Sequence, residues 1–327
     1  MDWNVKKIIN FDSESIYKDG YAHFGFHDSK GNLYSMNYFG QWVGYCDENG
    51  RLKWSAGNKP LVNSDCHITI DLQNPHYITD TPDAMLLIAS AENKKIYKVN
   101  PAEMTAFVLI DGDSIGLTDL GNCVFDYEGN IWVNEIQGCR IWKFTQEGVP
   151  IQTLGNGTPG FQTEDCSFSD VRFNWIYDIR TGPDGNIYVL DSKNFALRMI
   201  DLKSNVVKTI AGTGLGGYSG DGENAINATF GSNPDDYFNG PWSLSLDEEG
   251  NIYVGDTQNH VVRMIERSTN IITTIAGNPD IKQGVRNCPS EKEPLKLNLP
   301  KICSLDYFNG CLFIPEWDGD MIVLSKG

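Results

Sequence analysis

The chain is short of nearly everything that marks a membrane protein, a nucleic-acid binder or a small zinc domain. No run of eighteen apolar residues occurs, which excludes a membrane-spanning helix on the length that a bilayer demands. No apolar stretch follows Met1, so no signal peptide is visible, and the expectation is a cytoplasmic protein, or a secreted one if a signal peptide has been removed. Basic residues are scarce: 26 Lys and Arg stand against 43 Asp and Glu, a net charge of −17. Such a body repels phosphate backbones and anionic bilayers, and no basic stretch offsets it, so neither nucleic acid nor a membrane is expected as a partner. The eight cysteines form no Cys-x-x-Cys pair, which removes a zinc-ribbon frame and leaves them to read as mostly buried, reduced thiols. Gly-x-Ser-x-Gly and His-Glu-x-x-His are missing too, and with them the usual signs of a serine-hydrolase elbow or a zinc peptidase.

Helical periodicity is the last absence, since no window of useful length carries a 3.6-residue apolar pattern. What is present is one strand-turn-strand phrase repeated six times. Its clearest copy is Gly250-Asn251-Ile252-Tyr253-Val254-Gly255-Asp256 followed by Asn259 to Ile265. Gly185 to Asp191 and Gly129 to Glu135 repeat it closely, Gly31-Asn32-Leu33-Tyr34 opens a fourth copy, and Ala84 to Ile88 and Gly310 to Ile314 are divergent ones. The turn residues at 31, 84, 129, 185, 250 and 310 recur every 45 to 65 residues, room for four short strands with their turns. A repeat of that period buries its apolar faces by stacking around a ring. The expected fold is therefore all-β: a single domain over residues 1–327, built as a six-bladed β-propeller with four antiparallel strands per blade.

The ends of the chain predict how the ring shuts. The sixth unit stops one strand short, while Val5-Lys6-Lys7-Ile8-Ile9 reads like the outer strands Val206 to Ile210 and Ile272 to Ile275. An N-terminal strand closing the last blade removes the open sheet edges.

Residues 209 to 230, from Thr209-Ile210-Ala211-Gly212-Thr213-Gly214 through Gly220-Asp221-Gly222 to Phe230, lead on through Pro241, Asp247 and Gly250 to Asp256. Together they closely resemble the NHL repeat family, and the likeness is strong from about 150 to 300. The resemblance implies the propeller but little about activity, because NHL propellers include RNA-binding and protein-binding scaffolds, a zinc-dependent amidating lyase, and relatives of lactonase and strictosidine synthase propellers. A lactonase-like metal set cannot be laid onto this chain residue by residue. The five histidines, His23, His27, His67, His76 and His260, are few for the zinc site of an amidating lyase, and His260 falls where the repeat itself often has histidine.

A propeller's ligands meet the loops leading into its innermost strands and those leaving its second strands, which gather at the channel mouth. The second strands end at Asn37, Ser90, Glu135, Asp191, Asp256 and Glu316. Asp191 and Asp256 are expected to accept hydrogen bonds from the turns that follow. Glu135 and Glu316 sit on opposite blades, and their longer carboxylates are candidates for catalysis and for holding one divalent cation, calcium, zinc or magnesium. Leading into the inner strands, His23, Asn122, Trp175, Trp242 and Lys301 are ligand-binding candidates, and His67, with Asp65 close in sequence to orient it, is a catalytic one. The glycine-rich loop Gly212 to Gly217 follows an outer strand and opens no helix, so it is no dinucleotide cradle, and with Ser219, Asp221 and Glu223 it reads as a turn rather than a calcium loop.

Two functions fit. The first is a stand-alone propeller binding a small polar or carbohydrate-like ligand at the channel mouth, with a lean toward a metal-assisted lyase or hydrolase. The alternative is a non-catalytic scaffold for a protein, peptide or glycan.

Overall fold

A computed structural model describes residues 3–10, 24–47, 52–61, 64–232, 238–280, 287, 290–317 and 320–327. Its strands form six sheets, whose innermost strands are Phe24–His27, Pro75–Asp80, Cys123–Phe125, Ile176–Thr181, Ser243–Leu246 and Asp306–Phe308. Each innermost strand packs beside those of the two flanking blades, and blade 6 returns to blade 1. The ring is closed and has six sectors.

One device repeats at the hairpin between first and second strands. In blade 1 the Asp28 carboxylate accepts from the backbone N–H groups of Lys30 and Asn32 and from the Asn32 amide. Asp126 and Asp247 bind Asn130 and Asn251 in the same way in blades 3 and 5. The aromatic donor two residues past each asparagine closes the arrangement: Tyr34, Trp132 and Tyr253 all donate to that same aspartate. An Asx turn of this kind lets the backbone reverse without leaving buried donors unsatisfied. The residue at its tip takes positive φ throughout, Gly250 at 83° and, in blade 2, the non-glycine Ala84 at 62°.

Closure happens as the terminal segments imply. Trp3–Asn10 lies antiparallel on Asp320–Lys326 with Trp3 opposite Lys326 and Asn10 opposite Asp320. Trp3 and Val5 bury themselves against Tyr253, Leu312 and Leu324, so the first strand is part of the core of the last blade. The fourth strands are edges, and two carry an extra strand: His67–Thr69 runs parallel on Leu52–Gly57, and Cys166–Ser167 pairs with Val206–Ala211. The glycine-rich loop is a turn, pinned by the buried Arg263, whose guanidinium donates to Asp221 and to the Ser219 and Thr229 carbonyls. Cysteines among the described residues are free thiols, and no helix there is long and apolar enough to cross a membrane.

The positive φ at the hairpin tips makes a paired prediction. A Cβ at Gly250 meets nothing closer than 3.5 Å, so Gly250→Ala costs only backbone strain, about 1 kcal/mol. Ala84→Gly relieves the same strain and gains up to about 1 kcal/mol. Urea denaturation midpoints should move in opposite directions for the two variants at unchanged slope; a shift of both in one direction would contradict this account.

Candidate functional site

The loops leading into the inner strands and those leaving the second strands enclose a cavity of about 600 Å³ at one end of the axis. Its walls differ in chemistry. Blades 4 to 6 contribute Trp175, Tyr177, Phe238, Trp242 and Trp317, and Phe39 of blade 1 continues the aromatic side. Blades 2 and 3 contribute Asn74, His76, Glu92, Asp119 and Gln137.

The aromatic side is held by ring-on-ring packing. Tyr177 and Trp242 stack at 5.4 Å and 16°, Phe238 meets both Trp242 and Trp175 edge-on, and Phe39 meets Trp317 edge-on. Lys301 lies with its ammonium 3.7 Å from the Trp317 ring centre and 5.3 Å from that of Trp242, and Lys193 sits 4.1 Å above Trp175, both within cation–π range. Trp175 itself holds φ at 61°, a costly conformation for a bulky residue that surrounding structure must enforce. Its carbonyl accepts from the Ser192 N–H in the next turn.

The polar side is stitched by two carboxylates that cross. Glu135 accepts from the backbone and hydroxyl of Thr118, and Asp119 accepts in return from the backbone N–H of Gln137 at 2.7 Å. Glu135 is further clamped by Arg140 through Nε and Nη2. Asp119 keeps its other oxygen, Oδ1, buried with no hydrogen-bond partner. Burial first, and then the Glu135 charge, push the Asp119 carboxyl above the ordinary range against the pull of the Gln137 N–H.

Beneath the cavity floor a buried polar chain crosses three blades. His76 Nδ1 lies 2.9 Å from Asn122 Oδ1, Asn122 Nδ2 donates to Asp178 Oδ1 at 2.5 Å, and Arg180 Nη1 donates to the same oxygen at 2.6 Å. Asp178 Oδ2 accepts from the Leu244 N–H of blade 5. Burial lifts the Asp178 carboxyl to about 6, against Arg180 and its other donors, and burial pushes the His76 imidazole down.

The sequence-derived candidates divide sharply. Trp175, Trp242 and Lys301 stand in the cavity wall. Asn122 lies just below it, 3% exposed, inside the polar chain. His23 falls outside the described residues. The expected meeting of Glu135 and Glu316 across the axis does not occur. Glu135 is fully buried and spent on Thr118 and Arg140, Glu316 is buried within blade 6 beside Ile302, and neither lines the cavity. Among the described residues no three His, Cys, Asp or Glu side chains are grouped to hold a metal ion. Asp191 and Asp256 do accept from the following turns, through Asn194 and Asn259.

His67 is misplaced by the sequence alignment. It belongs to the extra edge strand of blade 1, where Nδ1 pairs with the Ser55 hydroxyl at 2.8 Å, and Asp65 does not take part in that bond. The innermost strand of blade 2 begins at Pro75, and the histidine at the channel mouth is His76. Spacing held the clue: Ala84 follows His76 by eight positions, as Gly250 follows Trp242 and Gly185 follows Tyr177. Asp178 and Arg180 had no such signal, because other inner strands carry polar residues too, as Ser243–Leu246 does, and only the ring brings these to the axis.

Residues 238–263 match the family model of the NHL repeat. Over 118 residues the chain is 30% identical to NHL repeat-containing protein 2 of Gallus gallus, a segment that is 36% of this chain and 15% of that protein; the chain thus spans a small part of the curated relatives it matches. An auxiliary nutrient binding protein from Bacteroides thetaiotaomicron aligns with 99% of this chain and 77% of its own at TM-score 0.66 and 14% identity. Virginiamycin B lyase from Staphylococcus aureus aligns over 100% of both chains at TM-score 0.59 and 12% identity. At these identities the solved structures speak for the fold alone. The chain is a six-bladed β-propeller that carries an NHL-repeat match at residues 238–263.

The buried carboxylates make stability depend on pH with a definite sign. Asp178, Asp191 and Asp256 are each lifted to about 6, chiefly by burial, so the folded state binds these protons more tightly than the unfolded chain does. Their contribution is present below the ordinary aspartate range and is lost as pH rises through about 6. Asp201, held down to about 2 by the Ser204 N–H and Lys208, acts only in stronger acid. His76 and His67, held low by burial, contribute the opposite sign in the same window, so the assignment is read from a difference. From pH 5 to pH 7.5 the melting temperature of Asp178→Asn should fall less, or rise more, than that of the wild type, and identical profiles in calorimetry would refute it.

Proposed function

We propose that this propeller binds a small, hydroxyl-rich ligand with one apolar ring face, a carbohydrate-like molecule, in the cavity at its channel mouth. The observation that carries this reading is the division of the cavity into an aromatic side and a polar side. A pyranose offers C–H groups on one face and hydroxyls around its rim. The Tyr177–Trp242 stack and Trp317 suit the first by apolar contact, as flat ring faces do in binding sites generally. Asn74, Gln137, Glu92 and the unpartnered Asp119 Oδ1 suit the second, because a buried acceptor gains most from a donor that replaces lost water. Lys301, already seated on two tryptophans, suits an acidic substituent on the sugar.

The cavity volume lies within the range usual for small-molecule sites, and fold likeness to a nutrient-binding protein and to a lyase is compatible with a small-molecule role.

Titration of neutral and acidic mono- and oligosaccharides, followed by tryptophan fluorescence and calorimetry, tests the reading. Binding should quench fluorescence, and Trp242→Ala should weaken it by about tenfold, the worth of one aromatic stack. Lys301→Met should weaken acidic sugars more than neutral ones. Absence of binding across the panel, or undiminished binding to Trp242→Ala, would end this proposal.

A further inference from the structure

We propose that His76 is a general base of this cavity, held as one tautomer with its Nε2 lone pair facing the ligand, and that the group it deprotonates is a hydroxyl. The inference rests on the cavity being a ligand site and adds the chemistry done there.

The tautomer follows from the direction of the hydrogen bonds. Asp178 beside Arg180 is a carboxylate that accepts only, so the Asn122 amide must present its NH₂ to Asp178 Oδ1. That orientation leaves Asn122 Oδ1 toward His76, 2.9 Å from Nδ1. A carbonyl oxygen cannot donate, so Nδ1 carries the proton and Nε2 is the basic nitrogen. His76 lines the cavity, and among the described residues Nε2 makes no hydrogen bond and is not among the buried unpartnered atoms.

The partner also sets the strength of the base. A carboxylate in direct contact would favour the charged imidazolium, whereas a neutral amide orients the ring without that pull. Arg180, one link further along the chain, disfavours a second positive charge. His76 is thus kept neutral and ready to accept. In the step proposed, an O–H bond of a ligand hydroxyl or a cavity water breaks, its proton bonds to Nε2, and its electron pair stays on the oxygen as the nucleophile. Asn122 and Asp178 are positioning residues, since they act through His76 and do not reach the cavity.

Nitrogen-15 multiple-bond NMR of the full chain at pH 7 tests this without any ligand, so its outcome is separate from that of the sugar titrations. The His76 signals are identified by their loss in His76→Gln. We expect Nδ1 protonated and Nε2 bare, with Nε2 far downfield of Nδ1, and loss of that separation in Asn122→Leu as the tautomers mix. Should Asn122→Leu not fold, diethyl pyrocarbonate provides the second measurement: wild-type His76 should be carbethoxylated at Nε2, located by mass spectrometry. A protonated Nε2 in the wild type, an unchanged tautomer in folded Asn122→Leu, or an unreactive His76 would each overturn the proposal.

Discussion

A buried carboxylate at the axis, Asp178, ties three successive blades of this propeller together. Each blade is a sheet that satisfies its own backbone, so nothing in the sheets themselves demands a ring. The demand comes from the axis, where neighbouring innermost strands trade polar contacts. Asp178 of blade 4 takes donors from Asn122 of blade 3 and from the Leu244 backbone of blade 5, and Asn122 passes the link to His76 of blade 2. His27 joins blade 1 to Asp306 of blade 6, and the Ser245 hydroxyl accepts from the Tyr307 N–H across blades 5 and 6. Removing a charge from water is costly unless hydrogen bonds surround it, and here, beside Arg180 of the same strand, the surrounding bonds come from blades 3 and 5. The cost of burial is offset in full only when the ring is assembled.

The same constraint separates structural acids from those available to a ligand. Carboxylates at the ends of the second strands, Glu135, Asp191 and Asp256, are fully buried and hold the loops that lead into the inner strands of their own blades, through Thr118, Asn174 and Gly231. They shape the cavity without entering it. What enters comes from the loops so held: Asp119 next to Thr118, and Trp175 next to Asn174. A position that recurs from blade to blade therefore supports the site from behind, and the irregular residues beside it supply the chemistry, the usual division of labour between scaffold and loop.

The two errors of sequence reasoning have distinct physical origins. Glu135 and Glu316 were placed by alignment at the right level on opposite blades, but alignment has no information on which way a side chain turns. Arg140, five residues on in the next strand, claims Glu135. His67 was assigned to an inner strand because the inserted edge strand of blade 1 has the same β-forming composition as the others, and composition does not record distance from an axis. Trp175, Trp242 and Lys301 came out in the cavity wall because all three lie in the short segments that lead into innermost strands, eight to ten positions before the hairpin turn.

What the sequence determined by itself is the repeat and all that local chemistry enforces: the Asp, Gly and Asn turns, the apolar strands, six units, and a first strand patterned to complete the last. These depend on bonds between residues a few positions apart, so they are written wherever the motif is. Tertiary structure alone decided which polar groups meet. His76, Asn122, Asp178 and Arg180 lie in three successive blades, and their distances from one another exist only once the ring has closed and low-dielectric burial makes each contact count.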